Sequence, residues 1–180
     1  MTIVKRTDGG GLRSYTGKLV FPLDPREEDF DIIDIAHALS NLCRFGGHVK
    51  TFYSVAEHSV YVSQHVKVKD ALVGLLHDAS EAYLVDMPRP IKTYMPQYRD
   101  IEENLQSFIS ERFGLTWPFP ASVHIADNRI LVSEMRDLMT LVTPWPGMPK
   151  PYKDVIAGLA PKKAEKLFLS RYKELIEETN

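Results

Sequence analysis

The run Leu75-Leu76-His77-Asp78-Ala79-Ser80-Glu81-Ala82-Tyr83 sets an imidazole and a carboxylate into a segment that is otherwise apolar. Leu72, Leu75, Leu76, Ala79 and Tyr83 recur at three and four residues, the spacing of one helix face, so Ala71 to Leu84 is expected to be an inward-facing helix. Burying an unpaired carboxylate among Val73, Leu75, Leu76, Ala79 and Ala82 is costly unless it is hydrogen-bonded or bound to a metal. Any fold that buries this helix must therefore bring a counter-charge or a cation to it. On a helix His77 and Asp78 diverge by about 100°, yet both can reach an ion lying between them, and Glu81 stands one turn on. A backbone carbonyl for His77 and a distant arginine for Asp78 would serve an isolated pair equally well, so the choice depends on what the rest of the chain supplies.

With 180 residues, 44% hydrophobic and 26% charged, the chain suits one ordinary domain with a core of its own. Its 22 basic and 24 acidic residues give a net charge of −2, which excludes a broad basic surface for nucleic-acid polymers and leaves room for a local phosphate pocket. The single Cys43 cannot form an internal disulfide, and its place among apolar helix positions reads as a small core residue. No thiolate cluster exists, so a metal would be held by His and carboxylate. The start Met1-Thr2-Ile3-Val4-Lys5-Arg6 lacks a long apolar core, and no stretch approaches the length of a membrane span. A cytoplasmic protein without membrane partners is the expectation.

Residues 1–25 read as an arm: a glycine turn at Asp8-Gly9-Gly10-Gly11, then Ser14 to Phe21 as a short hairpin turning near Gly17. Residues 26–180 read as an all-α body. Ile32, Ile35, Ala36, Leu39, Leu42 and Cys43 predict a helix from Asp31 to Cys43, with His37 beside its stripe as a structural residue. Two glycines in Arg44-Phe45-Gly46-Gly47-His48 predict a tight loop, and Ser54-Val55-Ala56-Glu57 predicts a capping box, with Ser54 as N-cap and Glu57 reaching back. His58 falls in the first turns of that helix, close enough to the stripe of Val55, Val62 and Val66 to point inward, while His65 is assigned a surface or structural place. Pro88 and Pro90 are expected to stop the central helix and stiffen a loop holding Asp86 and Lys92.

A fourth helix through Tyr98, Ile101, Leu105, Phe108, Ile109 and Phe113 should end at Gly114 and carry nothing catalytic. A fifth, from Val123 to Val142, should break at Pro144-Trp145-Pro146-Gly147. Asp127 lies there between Ala126 and Ile130 and is either a ligand on a core-facing register or an exposed neighbour of Asn128 and Arg129. A last helix over 162–177 should turn Ala164, Leu167, Phe168 and Leu175 inward.

His58, then His77-Asp78, then Asp127 follow the H…HD…D order of the HD-domain metal-dependent phosphohydrolases, which this chain resembles. Arg44-Phe45, Ser54 to Ser59, His77 to Glu81, and Asp86-Met87-Pro88-Arg89-Pro90-Ile91-Lys92 are similar to motifs of the bacterial 5′-deoxynucleotidases and related phage deoxynucleotide triphosphohydrolases. The resemblance spans about Arg44 to Asp137 and implies a single-domain HD-type helical bundle. It also implies His58, His77, Asp78 and Asp127 as ligands of one divalent metal ion, Co²⁺ or Mn²⁺ before Fe²⁺, Zn²⁺ or Mg²⁺. Glu81 would be the catalytic carboxylate beside Asp78, Arg44 and Lys92 would bind phosphate, and Asp86 would contact the sugar. Phe45 stands where the nucleotidases carry Trp, which changes the ring offered to a base. The implied reaction is 5′-deoxynucleoside monophosphate hydrolysis. The alternatives are a deoxynucleoside triphosphohydrolase, including one directed at dATP, and a non-enzymatic nucleotide-binding module. A homo-oligomer that binds small nucleotides and no nucleic-acid polymer is expected.

Overall fold

Helix follows the apolar spacing through most of the computed structural model, which describes Arg6 and residues 10–178. Two short strands, β1 (Leu12–Arg13) and β2 (Leu19–Val20), pair antiparallel in the expected hairpin, with Gly17 at φ +88° in its turn. Asp8 and Gly9 of the expected glycine turn lie outside the described residues. The hairpin is docked by one carboxylate: Asp34 accepts from Ser14 Oγ at 2.8 Å, Thr16 N at 2.6 Å and Thr16 Oγ1 at 2.9 Å. Asp34 belongs to α1 (Ile32–Asn41), capped by the Asp31 side chain accepting from Ile33 N at 3.0 Å. His37 on α1 is structural, its ring stacked 3.6 Å from Tyr15 and its Nδ1 3.3 Å from Glu165. The helix stops short of the expected Cys43 because Leu42 and Cys43 run extended and Cys43 pairs antiparallel with Ser54, through Arg44 N to Tyr53 O (2.9 Å) and Val55 N to Leu42 O (3.1 Å).

Ser54 caps α2 (Val55–His65) as expected, accepting from Glu57 N at 3.1 Å. The returning half of the box is absent, because Glu57 Oε2 accepts from Leu159 N at 2.7 Å instead. The expected helix from Ala71 to Leu84 is two pieces, α3 (Ala71–Leu76) and α4 (Glu81–Leu84). Between them, Ala79 N to Leu76 O (3.1 Å) and Glu81 N to Asp78 O (3.0 Å) are three-residue bonds, so the His-Asp pair rides a tightened turn and not a regular helix. The proline loop also differs: it coils into α5 (Arg89–Lys92), with Pro90 in the first turn, where its missing N–H costs nothing.

Gly114, at φ +65°, follows α6 (Pro96–Arg112), as its spacing predicts. α7 (Ala121–Leu138) ends before the expected Val142, because the Leu138 carbonyl is taken by Lys50 N at 2.9 Å and Met139 turns extended. In α8 (Pro161–Glu177), Ala164, Phe168 and Leu175 face the core, whereas Leu167, expected inward, is 39% exposed.

The hub of the packing is α2, bounded by α1, α3, α7 and α8, with Val55, Ala56 and Val62 wholly buried. Gly74 permits close approach of α3 to α2, since a Cβ there would stand 3.1 Å from Ser63 Cα. No described helix is long and apolar enough to cross a membrane.

Gly158 presses the irregular segment before α8 onto Phe52, just ahead of α2. Its φ is +82°, and a Cβ would fall within 2.4 Å of Phe52 O, a backbone atom that cannot swing away. Gly158→Ala is therefore expected to lower stability by about 2 kcal/mol or more, through left-handed strain and displacement of the Leu159–Glu57 bond, and chemical denaturation measures it.

Candidate metal centre

Three stretches of chain bring His58, His77, Asp78 and Asp127 together. His58, in the second turn of capped α2, has no exposure, and its Nδ1 lies 2.5 Å from Glu134 Oε1. His77 closes α3, and its Nδ1 is 2.8 Å from Gly74 O. A carboxylate and a carbonyl can only accept, so each ring carries its proton on Nδ1 and turns the Nε2 lone pair to the centre. The two Nε2 atoms stand 3.3 Å apart. Asp78 Oδ2 lies 3.5 Å from His58 Nε2 and 3.2 Å from His77 Nε2, and Asp127 Oδ1 lies 3.3 Å from His58 Nε2. Of its two open readings, Asp127 takes the inward one, on α7 between buried Ala126 and Ile130.

Two facing lone pairs repel unless something positive lies between them. Donor atoms about 2.1 Å from one ion stand roughly 3.0 Å apart at right angles and roughly 3.4 Å apart at the tetrahedral angle. The observed 3.2–3.5 Å spacings match that, and donor atoms of His58, His77 and Asp127 all lie within 4.8 Å of one another. The electrostatics agree. Burial and the Arg44 charge oppose a proton on His58, yet Glu134 and Asp127 outweigh them and bring its pKa to about 9. Against burial, His77, His58 and Arg44 hold Asp78 well below the usual carboxylate range, and the two histidines bring Asp127 to about 2. The cluster thus favours a positive charge at its middle, and His58, His77 and Asp127 could hold a metal ion.

The other residues singled out in the sequence stand around this set. Glu81, at the start of α4, is 5% exposed, and its Oε2 is buried without a hydrogen-bond partner among the described residues. Burial, reinforced by Asp78 and Asp86, pushes its carboxyl well above the ordinary range, against the pull of Arg44 and Lys92. Arg44, 9% exposed, sits in a turn where Phe45 and Gly46 both take left-handed backbone, φ 58° and 59°. Its NH1 is 3.6 Å from Asp78 Oδ2, its NH2 donates to Glu134 Oε2 at 3.2 Å, and its Nε–H is buried without a hydrogen-bond partner among the described residues. The Phe45 ring lies 5.4 Å from the same guanidinium. Asp86 is half-buried; burial raises its pKa while Arg44 pulls it down. Lys92 feels Glu81 and Asp78 at a distance, but its ammonium is bonded to Glu102 on α6 at 2.6 Å.

Several functional neighbours escaped the sequence reading. Glu134 has no exposure and accepts from His58, from Arg44 and from Tyr53 OH (2.9 Å), so one carboxylate aligns a ligand and a cation. It lies seven residues after Asp127, two turns along the same face, and that spacing was the available signal. Gln106 on α6 bonds the turn that carries His77 and Asp78. Arg89 reaches from α5 to Asn128 Oδ1 (3.1 Å) and Asp127 Oδ2 (3.5 Å), with its side chain 66% exposed.

Fold and site together define an all-α protein built around a buried imidazole–carboxylate cluster able to hold a metal ion. No protein-family model matches the chain. It is 38% identical over 170 residues to YfdR, an uncharacterized protein of Escherichia coli (strain K12), covering 92% of this chain and 96% of that one, and it belongs to the same family as YfdR. An uncharacterized protein of Rhodobacter capsulatus is 35% identical over 121 residues, 62% of each chain.

Removing Asp78 as alanine is expected to abolish stoichiometric Mn²⁺ or Co²⁺ in elemental analysis. Glu134→Gln, which keeps the shape behind His58 and loses the charge, should weaken metal binding about 10- to 100-fold by calorimetric titration.

Proposed function

We propose that the protein is a metal-dependent phosphohydrolase of the HD type, acting on 5′-deoxynucleoside monophosphates. The observation that carries this reading is a pair of orphan groups beside the ligand set: Glu81 Oε2, an acceptor, and Arg44 Nε–H, a donor, both buried and both without hydrogen-bond partners among the described residues. Unpaired buried polar groups are costly, and a water and an anionic phosphate would satisfy them. His58, His77, Asp78 and Asp127 would hold the ion. A divalent cation supplies Lewis-acid activation of water and of a phosphoryl oxygen, and the mixed N/O set favours Co²⁺ or Mn²⁺.

The chain's own groups then have separate tasks. Water adds to phosphorus, the bond to the 5′ oxygen breaks, and one proton must pass from the water to that oxygen. Glu81 is suited to carry it, because burial beside Asp78 raises its pKa well above that of an ordinary carboxyl and makes it a better proton acceptor than its exposed counterparts. Arg44 holds the phosphoryl oxygens against the developing charge, and its ion pairs with Glu134 and Asp78 fix where its free edge points. Asp86 would accept from a sugar hydroxyl. Lys92, bonded to Glu102, adds a steady positive field and not a direct phosphate contact.

Phosphate release from mono-, di- and triphosphates of deoxynucleosides and ribonucleosides, with Co²⁺ or Mn²⁺ present, tests the reading. No release from any of them overturns it. Glu81→Ala should keep metal and nucleotide binding yet lose turnover by about 10²-fold or more, and wild-type-like rates would return Glu81 to a structural role.

Arg89 favours a second reading, a triphosphohydrolase, because a mobile-length side chain that is 66% exposed beside Asp127 offers a cation beyond what one phosphate needs. If wild type prefers a deoxynucleoside triphosphate and Arg89→Ala spoils that substrate far more than the monophosphate, the second reading replaces the first.

A further inference from the structure

The break between α3 and α4 is bridged by a side chain from elsewhere. In an uninterrupted helix the Ser80 N–H would donate to the Leu76 carbonyl, four residues back. Here Ser80 N donates to Gln106 Oε1 at 3.0 Å, and Gln106 Nε2 donates to Leu76 O at 3.0 Å. One carboxamide has entered the ladder in place of one backbone bond, with its acceptor and its donor each matched to the group the missing bond would have used. Such an insertion is a recognised cause of helix kinking. Gln106 is 3% exposed, on the inward face of α6 between Leu105 and Ile109, so its amide has no water to turn to and its rotamer is set by packing.

The three residues spanned by this bridge are His77, Asp78 and Ala79. His77 is also tied on one side by Nδ1 to Gly74 O, Leu76 O accepts from Ala79 N at 3.1 Å as well as from Gln106, and Asp78 O accepts from Glu81 N at 3.0 Å, so the bridge supplies the Leu76-to-Ser80 link that these backbone bonds do not make. We infer that Gln106 is a positioning residue of the metal centre: its carboxamide holds the turn open by one amide's width and thereby sets where His77 Nε2 and Asp78 Oδ2 meet an ion. Without it, the natural relaxation is closure of the Ser80–Leu76 bond, which would rewind the turn toward regular helix and rotate the His-Asp pair away from His58 and Asp127. The inference rests on the metal-centre reading of the cluster and is independent of which phosphate ester, if any, is hydrolysed.

The experiment compares wild type with Gln106→Met, which keeps the volume and removes both bonds, and with Leu105→Ala, a core truncation one position earlier on the same helix. Each is titrated with Co²⁺ alone, reading the dissociation constant and the visible absorption band that reports ligand geometry, and each is melted without metal. Gln106→Met is expected to bind Co²⁺ about 10- to 100-fold more weakly, with a shifted band. Leu105→Ala should lose at least as much thermal stability yet keep the wild-type band and affinity. A wild-type band and affinity in Gln106→Met overturns the inference, as does the same loss in Leu105→Ala. Should Gln106→Met show no helical circular dichroism, Gln106→Asn, too short to reach both groups, is expected to give the shifted band, and a wild-type band there overturns the inference equally. Wild type that binds Co²⁺ but hydrolyses no nucleotide removes the proposed function and leaves this inference standing. Wild type that binds no Co²⁺ removes both.

Discussion

A buried carboxylate, Glu134, is the point on which the structure turns. Removing such a group from water is expensive, and the expense is met only because His58, Tyr53 and Arg44 all donate to it. Those three come from α2, from the extended stretch before it and from the glycine turn, so satisfying one charge on α7 locks three other pieces of chain against it. Burial alone would raise the Glu134 pKa, but Arg44 and His58 hold it down, and the carboxylate stays charged where it is needed. Orientation of the His58 ring, placement of the Arg44 guanidinium and seating of α7 on α2 are thus one solution to one electrostatic problem.

Apolar repeats made the helices legible, although the repeat through Ala71 to Leu84 conceals the break between α3 and α4; the four candidate ligands were legible too, because His58, His77, Asp78 and Asp127 are polar residues on faces that are otherwise greasy. Groups that serve the ligands from behind were not. Glu134 sits in Ser133-Glu134-Met135-Arg136-Asp137, a polar stretch that reads as solvated surface, and only the two-turn spacing from Asp127 marks it. Gln106 has a weaker signature still, one amide between the core positions Leu105 and Ile109 of α6. The capping box misled for a different reason: Glu57 had the spacing to bond backward, but a peptide N–H brought from far along the chain by Gly158 offered it a better partner. Local rules describe what a residue can do alone, and long-range contacts outbid them.

Departures from regular helix gather around the site. The left-handed Phe45, the three-residue turn under His77 and Asp78, and the positive φ of Val85 (65°) just before Asp86 all fall within the stretches that supply candidate functional groups. Regular helix offers side chains only along fixed directions, and aiming several of them at one point from neighbouring positions requires the backbone to leave its ideal path. The apolar remainder of α2, α6 and α8, where no group has to be aimed, keeps to the helical repeat.

Because the candidate ligands come from α2, from the α3–α4 turn and from α7, with α5 and α6 intervening, no short fragment of the chain contains the cluster. The centre cannot form early as a local nucleus; it comes into being only after the loop through α5 and α6 has been closed and its entropy lost. An ion held by this cluster would meet a finished scaffold and tie α7 to α2. Metal would therefore leave the speed of collapse nearly untouched and act chiefly on the rate of escape, making the loaded protein slow to open and not quick to fold.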